Sequence, residues 1–162
     1  MSATEAGVPV FRSAALTDAE VVEALLMSQA LPTAGVAEMF AADPTQFLLA
    51  LDGNAVIAVV GVEACGEHAL LRSVAVRRDW QQRGLGQALV TRAVTQAESR
   101  GITALYLLTM TAAHYFPRFG FTPVSREEVP VAIASTVEFT SACPASAIAM
   151  CKTLDTHGST AP

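Results

Sequence analysis

Two glycines stand two residues apart in the stretch Gln81-Gln82-Arg83-Gly84-Leu85-Gly86, directly before a run with helical periodicity. A helix start exposes amide groups that have no partner inside the helix, together with the positive end of the helix dipole. Glycine also lets a ligand approach the backbone closely, because it has no Cβ. The pattern predicts that the main-chain amides of about Gln82 to Gln87 bind an anion.

Arginine side chains crowd the approach to this turn, although the chain is acidic overall, with a net charge of −5. Arg77, Arg78 and Arg83 precede the second glycine and favour a ligand that carries phosphate. The turn lacks the Gly-Lys-Ser/Thr ending of a Walker loop, and Leu89 stands where a dinucleotide fingerprint needs its third glycine. A nucleotide-binding protein and a turn that merely starts a helix remain alternatives.

The composition is typical of a compact globular domain and not of a nucleic-acid-binding protein or a membrane protein. Of the 162 residues, 52% are hydrophobic and 15% are charged, which predicts one domain with a substantial core. The acidic charge argues against nucleic-acid binding, and the apolar stretches are too short to span a membrane. The amino-terminal residues do not resemble a signal peptide, so we expect a cytoplasmic protein. We predict no metal site and no disulfide framework, because the cysteines are only three and scattered: Cys65, Cys143 and Cys151.

The periodicity predicts a domain over residues 1–154 and a flexible tail over residues 155–162. We expect a short first strand, two helices, and a β-hairpin turning at Asp52-Gly53-Asn54. A further strand, "ALLRSVAV", precedes the glycine turn and a helix that ends near Arg100, where Gly101 supplies a left-handed stop. The remaining expected elements are a buried strand, a short helix and two more strands: "ITALYLLTM", "AAHYFPRF", "GFTPV" and "SAIAMCKTL".

The motif Gln-x-x-Gly-x-Gly after a strand ending "SVAV" resembles the pyrophosphate-binding motif of the GNAT superfamily of N-acetyltransferases. The stretch "LYLLTMTAAHYFPRFGFTPV" is similar to the next strand and helix of that superfamily, and the resemblance covers about residues 47–154. It implies an α/β (α+β) GNAT-like fold, with a mixed, mostly antiparallel central sheet flanked by helices. It also implies acetyl-coenzyme A as co-substrate, a small-molecule amine acceptor and, as in many relatives, a homodimer.

Two amino-acid-directed groups of the superfamily resemble the chain most. "LTMTAAHYF", "FGFTPV" and Val129-Pro130 resemble the acetyltransferase domain of glutamate N-acetyltransferase. "LLRSVAV", "LYLLTMTAA" and "VEFTSACPASAIAM" resemble the arsenic-resistance N-acetyltransferase group. The second match is longer and is preferred, so the expected acceptor is an arsenic-containing amino acid, with glutamate or another amino acid as the rival.

The resemblance implies cofactor contacts on the strand before the glycine turn, on the turn itself and near the end of the next strand. The main chain around Val74 and Val76 would pair with the pantetheine arm, and Thr109 stands where many relatives carry an asparagine. The implied cofactor-binding residues are Val74, Ala75, Val76, Gln81, Gln82, Arg83, Gly84, Leu85, Gly86, Gln87, Thr109, Ala112 and Phe116.

Amide formation by direct attack of an amine needs a base for the ammonium proton and can use an acid for the departing thiolate. Relatives often carry this acid as a tyrosine four residues before the glycine of a Gly-Phe pair, and here that position is Phe116. Tyr115 is the adjacent candidate acid. The candidate bases are two acidic and two histidine side chains: Glu63, Glu67, His68 and His114.

Arg72 is a charged residue inside an apolar strand, where it needs a partner. Strict alternation would place it on one side with Val74 and Val76, while Ser73 points the other way. One interpretation is a salt bridge to a neighbouring carboxylate, and the other is a bidentate clamp on the acceptor. Arg72 and Ser73 are the predicted substrate-binding residues. A non-catalytic coenzyme A sensor, favoured only by Phe116, is the alternative of another class.

Overall fold

A computed structural model describes residues 8–142 and 146–154. Within these ranges, seven strands form one sheet in the order β1-β2-β3-β4-β5-β7-β6. Their bounds are β1 Val10–Ser13, β2 Phe47–Asp52, β3 Ala55–Cys65, β4 His68–Val76, β5 Ala104–Thr109, β6 Thr122–Val124 and β7 Ile148–Thr153. The helices are α1 Ala19–Ser28, α2 Val36–Ala42, α3 Leu85–Ser99 and α4 Val131–Ala134.

The sheet is mixed, as predicted. β4 and β5 pair in parallel, with His68–Leu70 opposite Ala104–Tyr106. The pairs β1/β2, β2/β3, β5/β7 and β6/β7 are antiparallel. The hairpin predicted around Asp52-Gly53-Asn54 joins β2 to β3, and Gly53 takes the left-handed φ of +63° that this tight turn requires. None of the helices in the described ranges is long and apolar enough to cross a membrane.

The chain divides into two compact units, Met1–Gly61 with Ser73–Val90, and Val62–Arg72 with Thr91–Pro162. β3, β4 and α3 each contribute residues to both units. The prediction of one domain over residues 1–154 stays a prediction. Cys143-Pro144 and the tail from Asp155 lie outside the described residues.

The core of the first unit forms where one face of α1 and α2 packs against β2 and β3. Val22 and Leu26 of α1 are fully buried there, together with Leu49 of β2. The rings of Phe40 and Phe47 stack with their centroids 4.5 Å apart. Burying an aromatic or aliphatic side chain of this size contributes roughly 1.5–3 kcal/mol, so this cluster accounts for much of the unit's cohesion.

The core of the second unit centres on β5, whose six residues are all buried. Its side chains Tyr106 and Leu108 share an apolar cluster with Leu70 of β4 and Ile133 of α4. This burial on both faces is why β5 reads in the sequence as a continuous apolar run. The prediction of a buried strand here is confirmed.

α3 follows the helical periodicity predicted after the glycine turn, and Leu85, Leu89, Ala93 and Ala97 are all buried. The helix ends in a Schellman motif around Gly101, whose φ is +83°. The Gly101 amide donates to the Glu98 carbonyl at 3.1 Å, and the Ile102 amide donates to the Ala97 carbonyl at 3.0 Å.

One prediction about the later chain needs correction. "AAHYFPRF" is not a regular helix, because only the short 3-10 helix Phe116–Phe119 forms, and it ends at Gly120 with φ of +92°. The stretch between β6 and β7 contains α4 and a π-helical turn, Glu138–Ala142, for which no element was predicted. Serine and threonine interrupt the apolar periodicity there, so the helical signal is weak.

We expect Gly101→Ala to destabilise the protein by about 1 kcal/mol, because an L side chain at this left-handed φ is strained. An added Cβ would meet no atom within 4 Å, so the loss would come from backbone strain and not from a clash. Gly101→Asn is the matched variant and should lose less, since asparagine tolerates this conformation. Urea unfolding measures both, and equal stability of Gly101→Ala and the wild type would contradict the cap.

Candidate functional site

The glycine turn leads into α3 through two residues in the left-handed conformation. Gln82 has φ of +66° and Gly84 has φ of +79°. The Ala88 amide donates to the Gly84 carbonyl at 3.0 Å, and this is the first hydrogen bond of the helix. The amides of Leu85, Gly86 and Gln87 therefore precede the helical ladder and have no partner within it.

Side chains on the amino-terminal side of the turn hold it in place. Trp80 is buried, and the side-chain amide of Gln81 donates to the Val76 carbonyl at 2.9 Å and to Gln29 Oε1 at 3.0 Å. Gln81 thus ties the turn both to the end of β4 and to the end of α1. Its predicted role in cofactor binding falls to its main chain, because the side-chain amide is already engaged.

The three arginines predicted to favour phosphate differ in their surroundings. Arg77 forms a two-pronged ion pair with Asp79, Nε to Oδ1 at 2.7 Å and Nη2 to Oδ2 at 3.0 Å. The Arg77 guanidinium lowers the pKa of the Asp79 carboxyl and is itself largely neutralised by it. The Arg83 guanidinium lies over the Trp80 ring, 4.6 Å from its centroid, and Arg78 is exposed. The positive charge available at the turn therefore comes chiefly from Arg78 and Arg83.

The turn fits the diphosphate of coenzyme A. Within the part of the chain that the structure describes, the amides of residues 82–87 donate to no protein acceptor. The position that a Cβ of Gly84 would occupy has no atom within 4 Å. Left-handed residues alternating with others also turn successive amides toward one point, as in an anion-binding nest. These features, with the helix dipole behind them, suit an anion with several oxygens.

β4 does not keep the strict alternation from which its faces were predicted. Ser73 has φ of +59°, a conformation that a non-glycine residue seldom adopts inside a strand. Beyond it, Ala75 packs into the apolar core of the first unit, while Val74 and Val76 are half-buried. The side of the sheet occupied by Arg72 therefore does not follow from Val74 and Val76 by alternation, and its predicted facing stays a prediction.

Arg72 lies in a buried cluster with two carboxylates, all within the second unit. Its side chain is 0% exposed, and its Nη1 lies 3.3 Å from Glu63 Oε1. Its Nε lies 3.5 Å from Glu138 Oε1. The side chains of Glu63 and Glu138 are 23% and 7% exposed, respectively. The predicted salt bridge to a neighbouring carboxylate is confirmed, with two carboxylates instead of one.

Glu138 is the residue that the sequence reasoning missed. Burial raises the pKa of its carboxyl, Arg72 opposes this effect, and the negative charge of Glu63 adds to it. A signal was available, because Glu138 is the single charged residue between Val129 and Met150. A lone carboxylate in such an apolar stretch needs a buried partner.

The predicted bases lie in different settings. Glu63 is part of β3 and not of a turn, and its carboxylate is already paired with Arg72. His68 begins β4 and is half-buried, with its ring edge-on to Tyr106 at a centroid distance of 5.9 Å. Glu67 occupies the turn between β3 and β4, and both Glu67 and His114 are exposed.

The predicted acid, Tyr115, precedes a cluster of aromatic rings. Its ring contacts Phe116 and Phe119 at centroid distances of 5.3 Å, and the Arg118 guanidinium lies 4.4 Å from its centroid. Burial raises the pKa of the Tyr115 phenol, so the phenol is protonated at neutral pH, as an acid must be. Phe116 itself is buried and packs edge-on against Phe121 at 5.9 Å.

Thr109 closes the turn that follows β5. Its hydroxyl oxygen accepts a hydrogen bond from the Ala112 amide at 2.9 Å. The Ala112 carbonyl in turn accepts from the Tyr115 amide at 2.9 Å. Thr109 and Ala112 therefore position the segment that carries Tyr115, and the Thr109 hydroxyl hydrogen remains a donor for another group.

Known proteins share both the sequence and the fold. An amino-acid acetyltransferase of Ectopseudomonas mendocina is 41% identical over 71 residues, 44% of this chain and 16% of its own. The homologous enzyme of Pseudomonas syringae pv. tomato is 32% identical over 104 residues, 63% of this chain and 24% of its own. The chain thus spans less than a quarter of the length of these relatives.

Two solved structures superpose on most of the chain. Rv2747 from Mycobacterium tuberculosis, solved with CoA, has a TM-score of 0.76 and 20% identity, covering 90% of this chain and 99% of its own. N-acetylglutamate synthase from Neisseria gonorrhoeae, solved with coenzyme A and N-acetyl-glutamate, has a TM-score of 0.78 and 18% identity. That superposition covers 92% of this chain and 36% of the synthase.

The family profile described as "Acetyltransferase (GNAT) family" matches residues 16–121, more than half of the chain. This range includes the glycine turn, the start of α3 and all of β5. The match agrees with the resemblance that the Gln-x-x-Gly-x-Gly motif carries. The chain belongs to the acetyltransferase (GNAT) family.

Proposed function

We propose that the protein transfers the acetyl group of acetyl-coenzyme A to the amine of a small amino-acid-like acceptor. The observation that carries this proposal is the glycine turn, whose amides at residues 82–87 precede or begin α3 and donate to no acceptor in the described chain. The diphosphate of coenzyme A would bind there. The GNAT family assignment supports the reaction type.

The chemistry requires little beyond orientation and proton transfer. The amine nitrogen bonds to the thioester carbon, the carbon–sulfur bond breaks, and the sulfur leaves as a thiolate that takes up a proton. Holding both reactants in one geometry makes the encounter effectively intramolecular, which supplies much of the rate. A main-chain amide between Val74 and Val76 would stabilise the developing oxyanion. Tyr115 would supply the proton for the thiolate, since its phenol stays protonated at neutral pH.

An amino-acid acceptor is the class that the relatives support. Two of them are named amino-acid acetyltransferases, and one structural neighbour was solved with N-acetyl-glutamate. In this chain, Arg72, with Ser73 beside it, would bind the carboxylate of the acceptor. A buried guanidinium suits this task because it presents several fixed donors to a planar anion.

A narrower form of the proposal is that the acceptor is an arsenic-containing amino acid and that its acetylation confers resistance. This form rests on the sequence resemblance of "LLRSVAV" and "VEFTSACPASAIAM". An arsenic acid group carries oxyanions, so Arg72 is also a chemically suitable partner for it. A cytoplasmic location and a homodimer likewise remain predictions from the sequence.

Release of free thiol from acetyl-coenzyme A tests the function directly. We expect release that depends on an added amino acid, in a screen of the common amino acids and organoarsenic amino acids at saturating acetyl-coenzyme A. The acceptor with the highest kcat/KM identifies the substrate class. Tight binding of coenzyme A without amine-dependent release would favour the non-catalytic sensor. Stabilisation by ATP or NAD but not by coenzyme A would favour a nucleotide-binding protein.

Gly84→Val is expected to reduce coenzyme A affinity at least about 100-fold, because the side chain would enter the volume of the diphosphate and disturb several charge-assisted hydrogen bonds. Gly86→Val should act likewise. Titration calorimetry with coenzyme A measures the affinity, and thermal unfolding reports the fold.

Gly101→Val is the matched control for Gly84→Val. Gly101 has nearly the same φ, +83° against +79°, and the same open space around an added Cβ. Both variants should lose stability by roughly 1–2 kcal/mol from backbone strain, while Gly101→Val keeps its affinity for coenzyme A. If Gly84→Val binds coenzyme A as well as Gly101→Val does, the turn is not the diphosphate site.

A further inference from the structure

The two carboxylates that pair with Arg72 are not equivalent. Glu138, on the π-helical turn, pairs with Arg72 Nε, and its side chain is 7% exposed. Glu63, on β3, pairs with Arg72 Nη1, and its side chain is 23% exposed. Returning a carboxylate to water is easier from the more exposed position, because less of its hydration has been lost. Glu63 is therefore the partner that can leave Arg72, and Glu138 is the one that stays.

The charges around Arg72 favour the departure of one carboxylate when an anionic acceptor binds its guanidinium. With both carboxylates ionised, the cluster of Arg72, Glu63 and Glu138 already carries one excess negative charge. A third carboxylate beside a buried guanidinium would repel the other two at short range in a poorly screened environment. Withdrawal of one of the protein carboxylates relieves this repulsion.

We propose, resting on the function proposed above, that the carboxylate of the acceptor replaces Glu63 at Arg72 Nη1 and thereby frees Glu63 to act as the base. The acceptor ammonium transfers one proton to the freed Glu63 carboxylate, giving a neutral amine and a neutral carboxylic acid. The amine then attacks the thioester carbon, the carbon–sulfur bond breaks, and the second proton that the nitrogen loses on becoming an amide neutralises the departing thiolate. Glu138 is a positioning residue that keeps the guanidinium oriented through Nε.

The exchange couples substrate recognition to base activation. While no acceptor is bound, Oε1 of Glu63 is occupied by the hydrogen bond from Arg72 Nη1 and is not open to an incoming amine. An amine that carries no carboxylate would not displace Glu63 and would find no free base. The site would thus select amino acids over simple amines through the rate of the chemical step as well as through binding.

The groups that face Glu63 are few in the described chain. They are Arg72 on β4, Glu138 on the π-helical turn and Cys65 on β3, whose thiol contacts the Glu63 carbonyl at 3.6 Å. Burial, together with the charge of Glu63, raises the pKa of the Cys65 thiol to about 11, so this thiol stays neutral over the working range. An acidic limb in the pH profile would therefore report a carboxylate rather than the thiol.

Glu63→Gln tests the exchange in the full-length protein, with the amino acid found in the acceptor screen and with its decarboxylated amine. With the amino acid, we expect kcat to fall about 100-fold and the acidic limb of the kcat profile to disappear, because the base is lost. The acceptor KM should stay the same or fall up to about fivefold, because a competitor of the substrate carboxylate is removed. With the decarboxylated amine, the same substitution should change kcat less than about threefold, since Glu63 remains on Arg72 in the wild type.

The positioning role of Glu138 is tested by asking whether a conservative variant restores the acceptor KM. Glu138→Ala should raise the acceptor KM about tenfold or more through loss of a charge-assisted hydrogen bond, with the KM for acetyl-coenzyme A unchanged. Glu138→Gln keeps an oxygen that can accept from Arg72 Nε and should restore most of the acceptor KM. It also serves as the readout if Glu138→Ala does not fold. Glu127→Gln is the matched control, because Glu127 is an exposed carboxylate on the same segment between β6 and β7.

The results separate this inference from the proposed function. If the wild type acetylates no amine, the proposed function fails. Suppose that the wild type acetylates amino acids. The exchange is then wrong, while the function stands, if Glu63→Gln raises the acceptor KM, has the same kinetic constants as Glu127→Gln, or lowers kcat equally for both acceptors. Glu138 does not position Arg72 if Glu138→Gln loses as much acceptor affinity as Glu138→Ala. The same conclusion follows if Glu127→Gln raises the acceptor KM as much as Glu138→Ala does.

Discussion

The amide groups that open α3 are the constraint on which the proposed activity depends. Because the helix takes its first hydrogen bond at the Gly84 carbonyl, the amides just before Ala88 cannot be satisfied within it. Two left-handed residues, Gln82 and Gly84, shape the backbone that presents them. The buried Trp80 and the side chain of Gln81 hold this turn in place. A backbone so fixed, with unsatisfied donors at a positive helix end, is suited to a diphosphate.

A second constraint operates in the other compact unit, where a guanidinium with no exposed surface must be neutralised. Arg72 meets this need with carboxylates that lie nine residues before it and far after it in the sequence. The backbone changes conformation at the very next residue, since Ser73 is left-handed within β4. Residues held in sparsely populated conformations persist where the surroundings determine them and are frequent at functional sites. The chain thus carries backbone amides suited to an anion in one unit and a charged cluster in the other.

The features that were predicted from the sequence are those with local causes. The helical periodicity of α3, its Gly101 stop and the hairpin at Gly53 each follow from a few neighbouring residues, and all three were predicted. The features that were missed have distant causes. Glu138 pairs with Arg72 across 66 positions of the chain, which no local pattern encodes. The left-handed Ser73 has no residue signal either, so this break in the regular strand conformation was not predicted.

The central claim is that the amides of residues 82–87 bind the diphosphate of coenzyme A. Backbone amide chemical shifts of ¹⁵N-labelled protein test it residue by residue during titration with coenzyme A and, separately, with pantetheine, which lacks the diphosphate. The account predicts that the largest shifts with coenzyme A include Gln82 to Gln87 and that pantetheine leaves these amides unchanged. Saturation by coenzyme A with those resonances unmoved, or the same shifts there with pantetheine, would contradict it.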